Sequence, residues 1–158
     1  MIETRKEKRY YTLKGENDME EKKTTDLENI ILNTNSNNIN NIFKDIDQKE
    51  FSCYMKDCFE KHNFQQQQVF IQAEISQSYG YKLISGEKHT SQRDLIIKIC
   101  YVAHFTIEET NRALKLYGMS PLYVKVKRDA YITKAIQDRP GSLTDLNNFL
   151  ISHKQKPL

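Results

Sequence analysis

Two glutamines, Gln66 and Gln77, have the side chains best suited to recognition chemistry. A glutamine amide donates and accepts at once, so it can pair with both hydrogen-bonding atoms on the major-groove edge of an adenine. Gln77 and Ser78 open a short polar helix pattern, and Lys82 follows near the same face, able to reach a base or a phosphate. Gln66 opens the pattern before it, where its amide can bond a phosphate and brace Gln77. Lys88 and His89 lie just beyond, placed for a backbone contact. Tyr79 and Tyr81 flank Gly80. Side chains two apart on a helix point to different sides, so one ring is core and the other exposed. Tyr81 joins the candidate set as a contact to DNA or to a protein. The same residue types also make an ordinary solvated face, and only the surrounding pattern raises them above that.

Other chemistries find no pattern. Cys53, Cys58 and Cys100 form no Cys-x-x-Cys, and His62, His89, His104 and His153 lack zinc-ligand spacing. An odd set of thiols argues against a disulfide framework and for buried or half-buried cysteines. No serine sits in a strand-turn-helix context between glycines, and there is no glycine-rich phosphate loop. The expectation is a protein that is not an enzyme and takes no cofactor or metal.

The recognition candidates lie within Phe64–Gly86, which reads as two short helices joined by a tight turn. Val69, Phe70 and Ala73 give the first helix its apolar side. Ser76 stands where an N-cap is expected, and Gln77–Ser85 follows with Tyr79, Leu83 and Ile84 free to pack. Gly86 suits the left-handed stop. Gly80 in mid-helix costs about 1 kcal/mol relative to alanine, which suggests a close approach by another backbone or helix. Such a pair is the helix-turn-helix unit, whose second helix enters the major groove.

Around this unit the periodicity predicts further helices and no convincing strand. Phe51, Tyr54, Met55, Cys58, Phe59 and His62 follow helical spacing, as do Ile39, Ile42, Phe43 and Ile46 after an Asn-rich loop. Capping boxes are expected at Thr25–Glu28, Ser91–Asp94, Thr106–Glu109 and Ser142–Asp145. Leu95 to Ala103 makes a wide apolar face and a central helix. Gly118 ends the next helix, Pro121 marks an extended connection, and helices over Val126–Gln137 and from Leu143 complete the chain. The domains expected are a disordered tail over 1–23, an N-terminal helical extension over 24–50, a helix-turn-helix domain over 51–118 and a C-terminal helical pair over 119–158. Met19 offers a shorter natural start, with 1–18 as an upstream extension.

The 158 residues are 38% hydrophobic, below the usual range of roughly 45–50%, so part of the chain lies outside a core. With 5 Gly and 3 Pro the composition disfavours a turn-rich β fold. No apolar run is long enough for a membrane span and no signal peptide is evident, so a cytoplasmic protein without membrane contact is expected. The net charge of +3 is too mild to imply nucleic acid by itself. The charge is uneven: between 115 and 139, Lys115, Lys125, Lys127, Arg128, Lys134 and Arg139 outnumber Asp129 and Asp138.

The run from Phe51 to Gly118 resembles the lambda-repressor-like, Cro/C1-type (XRE) helix-turn-helix family. The resemblance rests on Gln66, Val69, Ala73, Ile75, Ser76-Gln-Ser-Tyr79, Leu83 and Gly86, followed by the Ser91 helix. A bacterial subgroup is similar over more of the chain, about 25–158, through Tyr79-Gly-Tyr81, the Gly86 to Arg93-Asp94 segment, Phe105-Thr-Ile-Glu-Glu-Thr110, Ser120-Pro-Leu-Tyr123 and Lys127-Arg-Asp-Ala130. The resemblance implies an all-α lambda-repressor-like bundle with extra N- and C-terminal helices, regulating transcription through double-stranded operator DNA, usually as a homodimer. It implies contacts at Gln66, Gln77, Ser78 and Lys82 and backbone contacts near Ser85 and Lys88. The chain departs from the family at Phe70, where a small alanine is usual, at Glu74, where glycine usually takes the left-handed turn, and at Thr90, where proline is frequent. The first two bear on the angle between the paired helices. Two functions follow as expectations: a sequence-specific DNA-binding regulator, or a protein-interaction module, antitoxin-like or adaptor, that keeps the fold with weak or lost DNA binding.

Overall fold

A computed structural model describes residues 26–158, with the backbone alone over 44–49. The expected tail over 1–23, the Thr25 cap and the side chain of Ile46 lie outside the described residues. Among the described residues there are helices, turns and loops and no strand, so the protein is all-α. The chain divides into two compact units after Phe43.

In the first unit, residues 26–32 are helical. The Asn-rich stretch then makes a 3-10 turn, Ser36–Asn38, capped by the Asn35 side chain, which accepts from the Asn37 N–H at 3.2 Å. Helix α1, Ile39–Lys61, starts here and runs without a break through Glu50–Phe51, where the pattern had separated an extension from a domain. Ile30, Leu32 and Phe43 keep their apolar side chains exposed.

The second unit holds the core. Phe51, Met55, Cys58 and Phe59 of α1 are buried along one side, as their spacing predicts. Then follow α2 (Gln66–Gln72), α3 (Gln77–Ser85), α4 (Arg93–Val102), α5 (Ile107–Leu116), α6 (Lys127–Asp138) and α7 (Leu143–Ser152). Helix α4 is central: Ile96, Ile97, Ile99, Cys100, Tyr101 and Val102 are all buried. From α7, Leu143, Leu146 and Leu150 join the same core.

Helix ends repeat one device. After α1, α2, α4 and α7 the chain turns through non-glycine residues with positive φ, namely Asn63 at 58°, Glu74 at 58°, His104 at 60° and Lys154 at 56°. The next N–H in each case returns to a carbonyl five residues back, as Phe64 to Phe59 at 2.8 Å and Phe105 to Cys100 at 3.0 Å. This is the Schellman closure, and Phe64, Ile75 and Phe105 supply its apolar contact by packing into the core.

Helix starts agree with the capping expectation at Thr106 and Ser142, where both halves of the box form. The expected box at Ser91–Asp94 does not. Helix α4 begins after Gln92, which makes no side-chain cap bond, and the Gln92 N–H donates instead to Thr90 Oγ1 at 3.1 Å. The Asp94 carboxylate is engaged elsewhere. It takes a bidentate pair from Arg128, 2.9 and 2.8 Å, while Arg93 makes the mirror pair with Asp129 at 2.9 and 2.8 Å. Two Arg-Asp dipeptides thus exchange partners between α4 and α6. Arg93 also donates to the carbonyls of Ser120 and Pro121, and Arg128 to those of Lys156 and Pro157. Burial pushes the Asp129 carboxyl up, but the Arg93 guanidinium and the Tyr123 N–H outweigh it and hold it below the usual range.

Candidate nucleic-acid interface

Helix α3 is held by one side and open on the other. Ser76 caps it, its hydroxyl accepting from the Tyr79 N–H at 3.4 Å. Gly80, Leu83 and Ile84 are buried beneath it. Ser78, Tyr81, Lys82 and Ser85 fall at i, i+3, i+4 and i+7 and share the outer side. Gly86 closes the helix in the left-handed region at φ 83°, and the Lys88 N–H returns to the Lys82 carbonyl at 2.9 Å.

The crossing of α2 and α3 shows how Phe70 is accommodated. The ring is fully buried against the Gly80 backbone, so close that a Cβ at position 80 would sit 2.5 Å from it. A large residue on α2 faces a position with no side chain on α3. Glu74 takes the left-handed turn that its position requires, and the Ile75 N–H bonds the Phe70 carbonyl at 2.9 Å. Tyr81 stands edge-to-face on Phe70, ring centroids 5.1 Å apart at 83°, with 46% of its surface exposed.

Five of the candidate residues, Gln66, Ser78, Tyr81, Lys82 and Ser85, line one open groove of about 440 Å³. Gln77 and Lys88 are exposed but do not line it. Two further residues that no sequence pattern singles out also line it. Lys56 reaches the groove from the polar side of α1, and no local pattern distinguishes it from that helix's other exposed charges. Glu87 joins from the loop after α3 and pairs with Lys82 at 3.3 Å. The groove therefore presents an aromatic ring, amide and hydroxyl groups, two lysines and one acid.

The basic excess over 115–139 contributes less surface charge than its sequence suggests. Arg128 is spent on Asp94. Arg139, itself at φ 50°, donates to the carbonyls of Tyr101, at 2.7 Å, and Phe105, and its guanidinium lies 5.1 Å over the Tyr101 ring. It thereby satisfies a carbonyl at the end of α4 and another in the turn that follows. Lys134 pairs with Asp138 at 2.9 Å.

A second ionic cluster is structural. Glu109, in the α5 capping box, accepts from the Thr106 N–H at 2.9 Å and pairs with Lys61 at 2.5 Å and His62 at 2.7 Å. Burial pushes its carboxyl up, but these partners bring it down to about 2. It ties the end of α1 to the start of α5.

Among the described residues no helix is long and apolar enough to cross a membrane. Comparison of the chain with protein-family models, with curated proteins and with solved structures gives no match.

Proposed function

We propose that the chain is a sequence-specific DNA-binding transcriptional regulator of the lambda-repressor-like type, with Gln77–Ser85 as its recognition helix. The observation that carries this reading is the shared outer side of α3, where Ser78, Tyr81, Lys82 and Ser85 meet Gln66 of the preceding helix on one open groove. A capped helix held only by its inner side can enter a major groove, and its N-terminal residues are those that reach base edges. In this arrangement Gln77 and Ser78 read bases, Tyr81 and Lys82 follow one turn on, and Gln66, Ser85, Lys88 and Lys56 approach phosphates. Such a regulator acts in the cytoplasm, and a homodimer would give a palindromic operator.

The test is selection from a randomised duplex library at two salt concentrations. The expected result is an enriched operator whose affinity falls steeply with salt, because phosphate neutralisation releases counterions. No enrichment together with no salt dependence sinks the proposal.

A protein-interaction role, antitoxin-like or adaptor, is favoured by a different surface. The segment after α5 is pinned by the Leu122 N–H on Asn111 at 2.8 Å and the Tyr123 N–H on Asp129 at 3.0 Å. It nonetheless leaves Tyr123, Val124 and Val126 exposed beside Lys125 and Lys127. An ordered apolar patch in water is a feature of partner surfaces. Purification from the native host with no stoichiometric protein partner counts against this second role.

A further inference from the structure

We propose that Tyr81 reads the 5-methyl group of a thymine, and that Phe70 with Gly80 is the device that aims it. The proposal rests on the DNA-binding reading above and specifies what one residue of that site recognises.

Ser78, Lys82 and Ser85 share the outer side of α3 with Tyr81, and all three offer hydrogen bonds or charge. The Tyr81 ring is the aromatic surface among them. On the floor of the major groove, the thymine methyl is the apolar feature that distinguishes one base from the others. An aromatic ring presented there gains by covering that methyl, at roughly the value of one buried methyl group.

Aim is the second requirement. A tyrosine free to turn about χ1 on an exposed helix loses rotamer freedom on binding. Here part of that freedom is already gone. The Phe70 ring lies flush on the Gly80 backbone, with no room for a Cβ, and meets Tyr81 at 83° with centroids 5.1 Å apart. The buried Phe70 is thus a fixed prop under a half-exposed Tyr81. Phe70 is a positioning residue; it touches no base itself. The small residue usual at its position would leave Tyr81 without this support.

The experiment uses the full chain and the operator selected from the random library. Each thymine is replaced in turn by uracil, which removes the methyl and nothing else from the major-groove edge. At one position the wild-type chain is expected to lose affinity about fourfold, the value of one buried methyl. Tyr81→Ala should bind more weakly and show no thymine–uracil difference at that position, whereas Tyr81→Phe should retain it, since the ring and not the hydroxyl makes the contact. Phe70→Leu should shrink the difference while leaving the salt slope unchanged, which a general loss of folded protein would not do.

If Tyr81→Phe binds as weakly as Tyr81→Ala and no thymine is methyl-sensitive, Tyr81 serves a phosphate through its hydroxyl and the proposal is overturned. It is equally overturned if Tyr81→Ala keeps the methyl sensitivity. An operator that is enriched yet methyl-insensitive removes this proposal alone. A library with no enrichment removes the DNA-binding reading with it.

Discussion

A methyl group at position 80 would lie 2.5 Å from the Phe70 ring, well inside contact distance. Glycine there costs helix stability, and at this crossing that cost secures the packing of a large ring between two helices. Gly80→Ala should therefore destabilise the protein despite its better helix propensity, by about 1–3 kcal/mol, the usual penalty of overpacking. Chemical denaturation checks this, and the double variant Phe70→Ala/Gly80→Ala should lose less than the sum of the two single losses if the clash is the cause. Glu109 supports a pH prediction. Its folded carboxyl, brought down to about 2, lies below its ordinary value, so its contribution is complete above about pH 4.5 and is lost as the pH falls through about 2. The side chain is only 12% exposed but its partner Lys61 is in water, so a contribution of about 1–2 kcal/mol is expected. Glu109→Gln should flatten the acid limb of the stability curve by that amount, measured between pH 5 and pH 2.

The helix ends show how far local sequence reaches. Gly86 and Gly118 were legible as stops because glycine at positive φ is the common solution. Asn63, His104 and Lys154 occupy the same region with no glycine to announce it. For Asn63 and His104 the signal lies one residue later, in Phe64 and Phe105, whose burial offsets the strained dihedral; Lys154 is followed by the polar Gln155 and carries no such signal. Glu74 was legible as a left-handed residue only through the family resemblance, in which glycine usually takes this turn. Glu74→Gly should relieve the strain of a left-handed β-carbon and raise stability by about 0.5–1 kcal/mol, less than the full relief because glycine also frees the unfolded chain. Thermal or denaturant midpoints measure it directly. Among the starts, Ser76, Thr106 and Ser142 cap as their spacing indicates. Ser91 does not, because Asp94 is drawn across to Arg128, a partner on another helix that no local window contains. For the candidate site, Gln66, Ser78, Tyr81 and Lys82 were legible from residue type and the two-helix pattern, and Ser85 only through the family resemblance. Lys56 and Glu87 were not, since they reach the groove from a different helix and a following loop.

At the scale of the whole molecule, the arginines over 115–139 serve the fold more than the surface. Arg128 and Arg139 are satisfied by Asp94 and by the Tyr101 and Phe105 carbonyls, respectively. Charge counted along the chain therefore overstated the field that a polyanion would meet. The mostly buried Arg93–Asp129 pair and the exposed Lys134–Asp138 pair differ sharply in what they should be worth. Asp129→Ala leaves Arg93 without its carboxylate and the Tyr123 N–H without its acceptor, and should cost about 3 kcal/mol. Asp138→Ala should stay within about 0.5 kcal/mol. Equilibrium unfolding of the two variants side by side makes the comparison.

The exchange between Arg93-Asp94 and Arg128-Asp129 has a consequence for descent. Losing Asp129 strands the Arg93 charge in a mostly buried site, and losing any of the other three leaves a partly buried charge unpaired, so single losses are disfavoured. Any lineage that keeps this architecture should inherit both dipeptides together or replace both with apolar residues. Those two short words, far apart in the text of the gene, would then vary as one.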